Sequence, residues 1–434
     1  MREVIREIIT SFHQEALPSA MPRELAYPVL PASIRKAVVF TGMRRVGKTY
    51  LMYRHMQQQL EHGLDKTKLL YINFEDDRLS AFTVDDFQTV LDVYVELYPQ
   101  HINASDVAFY LDEIQTIDSW ELFIRRLLDK EKMAITISGS SSKLLSKEIA
   151  TSLRGRCVTQ EVTPLSLREY LAYRKVDIKK SVTKKHLATM LHHANDYLNR
   201  GGFPETLDLD SGLHRNIVQS YVNATVFRDV IQRYAIKNSG VVKLFLLYCL
   251  QSISSLLSVT KVYKDLKSRG ASVGRDSLYR YLEYFEDAFL LFRVPIYLLS
   301  ARNRQLHPMK IYCVDPGIIT AYSMKKDREA GVQLENAVYV QLRRLGCEDI
   351  FYYKTQSGKE VDFIAQQSNG EKRLYQVCLD MRDEKTRHRE ISALEEAARE
   401  LDMQEGTIIT RDYREDIKLD GLTIQAISYA EWAL

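Results

Sequence analysis

At 434 residues, 45% of them hydrophobic, the chain exceeds a single ordinary core, and two or three domains are expected. Its 60 basic and 57 acidic residues leave a formal charge of +3, which selects no partner by itself and turns attention to where the basic residues lie. Cys157, Cys249, Cys313, Cys347 and Cys378 are scattered singly, which excludes a disulfide framework or a C-x-x-C zinc site, and no apolar run approaches the ~18 residues of a membrane span. With a charged start at Met1-Arg2-Glu3, a soluble protein of the reducing cytoplasm is expected, with no membrane partner.

In chain order, residues 1–36 give a short helical pattern and then a proline-punctuated lead-in through Pro18, Pro28 and Pro31. The apolar, β-branched run at 37–41 reads as a buried strand, and 50–60 reads as a helix. Between them Gly42-Met43-Arg44-Arg45-Val46-Gly47-Lys48-Thr49 meets every fixed position of G-x-x-x-x-G-K-[ST], the phosphate-binding loop. Its glycines let backbone N–H groups face a phosphate at a helix N-terminus, so Gly42, Arg44, Arg45, Val46, Gly47, Lys48, Thr49 and the adjoining Tyr50 are candidate ATP-binding residues. Lys48 would reach the β- and γ-phosphates, and the Thr49 hydroxyl would hold Mg2+.

A second strand at 68–74 ends in the acids Glu75, Asp76 and Asp77, which are either a solvated turn or neighbours of the metal and water. A third, at 107–111, closes on Asp112-Glu113. That is the Walker B form, with Asp112 assigned to Mg2+ and Glu113 to the base that orients water. The run at 133–139 leads into Ser140 and Ser141, either of which would hydrogen-bond the γ-phosphate or the water, with Ser140 preferred. Arg154 and Arg156 precede a strand at 157–162, and Arg156 is the candidate arginine finger, with Arg154 a solvated partner. Strands alternating with helices specify a parallel α/β sheet whose ligand loops lie at the strands' C-terminal edge.

The loop at 42–49, Tyr71-Ile72-Asn73-Phe74-Glu75-Asp76, Leu111-Asp112-Glu113, Ser138-Gly139-Ser140-Ser141, Leu153-Arg154-Gly155-Arg156, the run 164–170 and Gly201-Gly202-Phe203-Pro204-Glu205 together resemble the prokaryotic AAA+ ATPases of the archaeal and STAND-related signalling branch. The resemblance implies a P-loop AAA+ core at 1–165 and a helical lid at 166–235, in which Gly202 and Pro204 take the place of the STAND Gly-x-Pro element near the nucleotide base. Gly201-Gly202-Phe203-Pro204 also reads simply as a strong turn between helices.

Helix, turn and helix at 259–268, 269–274 and 275–287, followed by apolar strands within 289–299, fit a winged helix-turn-helix over 236–322. Between 261 and 310, ten basic residues (among them Lys261, Arg275, Arg280, Arg302 and Lys310) face five acidic ones, a local +5. Arg275, Ser277, Tyr279 and Arg280 are the candidate DNA contacts. Residues 323–434 resemble a PD-(D/E)XK, restriction-endonuclease-like α/β domain: Glu335 on a helix and Asp362 on a strand match its metal ligands. Gln376 stands where the second acid belongs and Cys378 where lysine belongs, which argues for a fold retained for DNA binding or assembly unless Lys354 or Lys359 enters the site. The whole reading is a Mg-ATP-dependent, DNA-binding or DNA-remodelling AAA+ protein, homo-oligomeric if Arg156 acts in trans; a STAND-like switch and an ATP-regulated nuclease are the alternatives.

Overall fold

The computed structural model describes all residues except 32, 103, 141–152, 154, 179–182, 299, 301–303, 305–306, 324–328, 348 and 368. It divides into two compact units, Met1–Val162 with Asp287–Phe289, and Thr163–Glu286 with Leu290–Leu434.

The first unit carries helices α1 (Arg2–Gln14), α2 (Lys48–Glu61), α3 (Phe87–Leu97) and α4 (Trp120–Lys130), and strands β1 (Ala37–Thr41), β2 (Leu69–Asn73), β3 (Ala108–Asp112), β4 (Ala134–Gly139) and β5 (Cys157–Glu161). The strands form one sheet in the order β2-β3-β4-β1-β5, every neighbouring pair parallel. Every residue of β1 and β3 is buried, as expected for strands covered on both faces. Ile5, Ile8 and Ile9 of α1 repeat at helical spacing and enter the same core as Phe87, Phe109, Phe123 and Ile135. The strand order sets β1, β4 and β3 side by side. Since they are parallel, the segments that follow Thr41, Gly139 and Asp112 all leave from one edge of the sheet.

The second unit begins with α5 (Leu167–Tyr173), α6 (Lys184–Arg200) and α7 (Ser211–Thr225), which runs on into a π-helical turn, Val226–Gln232. Next come α8 (Ser239–Gln251), β6 (Leu256–Leu257), α9 (Val259–Ser268), α10 (Arg275–Asp287), β7 (Leu291–Val294) and β8 (Met309–Cys313), with a three-stranded sheet in the order β6-β8-β7. β7 is shorter than the expected 289–299 because Pro295 has no N–H for the ladder; beyond it Ile296 bridges to Tyr352. The remaining elements are α11 (Pro316–Tyr322), α12 (Glu329–Arg344), β9 (Asp349–Lys354), β10 (Glu360–Gln366), β11 (Lys372–Val377), α13 (Glu384–Leu401), β12 (Glu405–Thr410), β13 (Glu415–Leu419), β14 (Leu422–Ser428) and α14 (Tyr429–Trp432). They include a mixed six-stranded sheet, β13-β14-β12-β11-β10-β9.

Candidate nucleotide site

Gly42 opens the loop at φ +150°, where a Cβ would lie 2.1 Å from the Val162 carbonyl oxygen, so glycine is required by space. Gly47, at φ +99°, caps α2 in the left-handed region. Lys48 is buried, and its ammonium donates to the carbonyls of Gly42 and Met43, each at 3.1 Å, while lying 3.5 Å from a Glu113 carboxylate oxygen. The lysine thus closes its own loop into a ring that already surrounds a cation. Arg44 pairs with Glu75 at 2.6 Å, which assigns that acid to the loop. Arg23, from the lead-in, donates to the Val46 carbonyl at 3.0 Å. Arg45 holds φ +68°, and Tyr50 is exposed on α2.

Asp112 ends β3 and is 1% exposed. Its Oδ2 accepts from Thr49 Oγ1 at 2.7 Å and from the Tyr71 hydroxyl at 2.9 Å, and its Oδ1 accepts from Ser138 Oγ. Ser138 Oγ also accepts from the Glu113 N–H at 3.1 Å, so one hydroxyl on β4 fixes both acids. Burial raises the Asp112 carboxyl and the neighbouring Glu113 adds to this, while Ser138, Thr49 and Tyr71 draw it back. Glu113 is also buried, which pushes it up, but Lys48 and then Arg44 outweigh the burial and leave it below the ordinary carboxylate value. It is therefore ionised at neutral pH, as a base must be. Its φ of +52° turns the side chain out of the strand direction, and Gln115 Nε2 donates to its Oε2 at 2.6 Å. The same amide lies 3.5 Å from Ser140 Oγ, which brings Ser140 to the Glu113 side of the site.

Thr49 and Asp112 supply hard oxygens in contact with each other, the donor set for Mg2+ shared with phosphate and water. Among the described residues no group of three or more His, Cys, Asp or Glu side chains is placed to hold a metal alone, so a metal at Thr49 and Asp112 needs ligands from its substrate.

Arg156 does not join this group. Its carbonyl accepts from the Ala37 N–H at 2.9 Å, at the N-terminal edge of the sheet, and the length of β1 separates it from the loop by about 16 Å. Its guanidinium pairs with Asp129 at the surface. A role in cis is thereby excluded. Ser141 and Arg154 lie outside the described residues.

In the second unit, Leu278, Leu282 and Phe285 bury one face of α10. Arg275, Tyr279 and Arg280 are exposed, and the Arg280 guanidinium donates to Ser277 Oγ at 3.3 Å. The +5 charge of this segment is not all on the surface. Arg293 pairs with Glu286, Arg302 lies outside the described residues, and Lys310, one of the ten counted in the +5, is 2% exposed. The Lys310 ammonium contacts Asp362 at 2.8 Å, Glu360 at 2.9 Å and Glu335 at 3.1 Å. Glu335 and Asp362 are thus brought together as expected, but around an ammonium. Gln376 turns away, accepting from the Asp362 N–H and donating to Glu390 at 2.7 Å. The Cys378 thiol, pushed up to about 11 by burial and next by Glu390, donates to the Asp380 carbonyl. Lys359 pairs with Glu396, and Lys354 lies 3.8 Å from Glu360.

Gly202 and Pro204 pack inside their own unit. The Gly202 N–H donates to the buried Asp315 carboxylate at 2.7 Å, and a Cβ there would meet the Leu165 carbonyl oxygen at 2.3 Å. Pro204 opens a 3-10 turn, Pro204–Thr206.

Residues 34–171 match the family described as AAA domain. Residues 191–329 and 330–432 match two families described as domains of unknown function, DUF8612 and DUF4143. The uncharacterized protein MJ1544 of Methanocaldococcus jannaschii is 34% identical over 411 residues, covering 94% of this chain and 84% of that protein. An uncharacterized protein of Haemophilus influenzae is 27% identical over 400 residues, 91% of this chain and 94% of its own length. Among solved structures, the Aeropyrum pernix ORC1 protein in complex with DNA is similar at a TM-score of 0.30 and 14% identity, over 74% of this chain and 91% of that one. AMPPCP-bound DnaA from Aquifex aeolicus is similar at a TM-score of 0.27 and 13% identity, over 65% and 86%. Scores of this size carry nothing about activity or partners.

Proposed function

The chain belongs to the family of the Methanocaldococcus jannaschii protein MJ1544, and from that membership, its AAA domain and the geometry of its loop we propose that it is a Mg2+-dependent AAA+ ATPase. One observation carries the reading: Lys48, Thr49, Asp112 and Glu113 meet at one sheet edge, with Thr49 on Asp112 at 2.7 Å and Lys48 beside Glu113 at 3.5 Å. Lys48 exchanges its bonds to the Gly42 and Met43 carbonyls for phosphate oxygens, beside the N–H groups of the loop. Thr49 and Asp112 would hold Mg2+, which would supply positive charge beside the phosphates. Glu113, kept ionised and steered by Gln115, takes the proton of the attacking water, and Ser138 fixes it relative to Asp112.

DNA is the partner that best fits the exposed Arg275, Tyr279 and Arg280 of α10, whose helix follows α9 and precedes the β7–β8 pair in the order of a winged helix. The arginine finger role of Arg156 belongs to a neighbouring subunit's site, which makes the active form a homo-oligomer. The nuclease-like part is a binding or assembly module, since the Lys310 ammonium already lies between its acids.

ATP turnover measured with and without duplex and single-stranded DNA, at one fixed salt concentration, tests this directly. Turnover that vanishes in Lys48→Ala and rises with one DNA form, the rise being lost when Arg275 and Arg280 become Ala, is the expected result. Slow turnover with tightly retained nucleotide and no DNA response would replace the DNA partner with a signalling role.

A further inference from the structure

Lys310 lies within a family match that ends at residue 329, and its three partners lie within the next match, which starts at residue 330. It is the second residue of β8, with Tyr312 two residues on and therefore on the same strand face. Both side chains reach Glu335 on α12, the Tyr312 hydroxyl at 2.7 Å and the ammonium at 3.1 Å. The ammonium's other contacts are Asp362 at 2.8 Å and Glu360 at 2.9 Å, both on β10. Each of its three N–H donors thus has its own carboxylate. The second oxygen of Asp362 accepts from the Val377 N–H at 2.9 Å. Glu360, the most solvated of the acids, also meets Lys354 at 3.8 Å. The side chain of Lys310 is 3% exposed.

Three acids from two elements converge on one point, as oxygen ligands do around a hard divalent cation, although with the ammonium in that position the group is not set to hold a metal ion. Asp362 is buried and Glu335 and Glu360 are partly so, and three ionised acids this close without a cation would repel one another. A lysine whose nitrogen is 2.8–3.1 Å from all three fills that position with a tethered single charge.

We propose that the Lys310 ammonium is the resident cation of this cluster, standing where a divalent metal would otherwise sit, so that the C-terminal part of the chain folds without metal and does no metal-dependent chemistry. The lysine also ties the two matched segments together. The Tyr297 N–H donates to the Tyr352 carbonyl at 2.7 Å, and the Tyr352 N–H to the Pro295 carbonyl at 3.0 Å, so the segment carrying β7 and β8 is joined to the edge of the six-stranded sheet beside the ion cluster. The inference does not depend on ATP hydrolysis, and its test uses nucleotide-free protein, so either can fail alone.

Mn2+ binding to the full chain, counted by the loss of the free-ion paramagnetic resonance signal, is compared across wild type, Lys310→Ala, Asp362→Asn and the Lys310→Ala/Asp362→Asn double variant. Wild type and Asp362→Asn should bind equally. Lys310→Ala should take up one additional Mn2+ per chain, abolished in the double variant. Its melting temperature should fall by on the order of 10 °C and recover in part with Mn2+. Wild-type Mn2+ uptake that Asp362→Asn removes would overturn the proposal, because metal would then enter with the ammonium in place. A folded Lys310→Ala that binds no additional metal would overturn it equally. Should Lys310→Ala not fold, wild type against Asp362→Asn decides alone: equal uptake supports the proposal and unequal uptake refutes it.

Discussion

Gly42→Ala isolates the packing that holds the phosphate loop against the end of β5. The added Cβ would stand 2.1 Å from the Val162 carbonyl oxygen, and Val162 is itself tied back by its N–H to the Thr41 carbonyl at 2.6 Å. Backbone meets backbone, so no rotamer relieves the clash and the gap must open by about 1 Å to reach ordinary contact. Overpacking of this kind costs about 2 kcal/mol, and holding alanine at a positive φ about 2 more. On a domain whose whole stability is ~5–15 kcal/mol, about 4 kcal/mol lowers the melting temperature by on the order of 10 °C. The loop that departs from this strand would also lose its shape, and with it ATP binding. Gly63 supplies the control: it too has a positive φ, +89°, but a Cβ there meets nothing within 4 Å. Gly63→Ala should therefore show the backbone term alone, about a third to a half of the effect, with ATP binding intact. Thermal unfolding and fluorescent-nucleotide titration of both variants separate the two terms. If Gly42→Ala melts no lower than Gly63→Ala and binds ATP normally, the loop is not seated on Val162 as described.

Ser138→Ala removes the one hydroxyl that touches both acids; ATP turnover should fall about 10- to 100-fold with little change in nucleotide affinity, and an unchanged turnover would show that Ser138 orients neither. Arg156→Ala breaks only a surface ion pair with Asp129, so stability should shift by less than about 1 kcal/mol. Its turnover should nevertheless drop, and adding Glu113→Gln protein, which keeps Arg156, should restore part of it; concentration-independent activity that ignores Arg156 would exclude the finger. His55 stacks on Tyr27 at 3.4 Å and bonds the Tyr110 hydroxyl, and burial depresses it from 6.5 to about 4. A depressed histidine gives stability that is complete above pH 6.5 and is lost as pH falls toward 4, here up to about 3 kcal/mol. His55→Phe should flatten the unfolding midpoint between pH 7 and 4; an equally steep acid loss would assign that window to other groups.

The candidate nucleotide site was legible as a pattern wherever its residues are neighbours in sequence. The loop at 42–49 and the pair Asp112-Glu113 each follow an apolar run, and parallel strands that are buried on both faces announce themselves by such runs. Ser138 was passed over because a single serine inside the β4 run reads as ordinary strand polarity; its role exists only because β4 lies beside β3. The placement of Arg156 could have been reasoned out. A residue that precedes a parallel strand lies at the N-terminal edge, opposite the ligand loops, so no finger there serves its own loop. Lys310 was misread for the opposite reason. Its partners Glu335 and Asp362 are 25 and 52 residues away, and a charge count treats every lysine as solvated. The signal was its position in a five-residue strand between apolar neighbours, followed by Tyr312 on the same face, where a cation must find acids. Gly202 was legible as a turn, but its partner Asp315, held up at about 6 by burial, lies 113 residues away.

The most direct test of ATP hydrolysis at this edge is phosphate release by Glu113→Gln beside wild type, with nucleotide binding measured on the same samples. Removing the carboxylate while keeping the side chain's length leaves Lys48 able to exchange its bonds to Gly42 and Met43 for phosphate oxygens, so ATP should still bind. Phosphate release should fall by about 100-fold or more, the usual contribution of a positioned base. Release at the wild-type rate from Glu113→Gln with ATP bound would contradict the assignment of Glu113, and with it the account of how this edge of the sheet works.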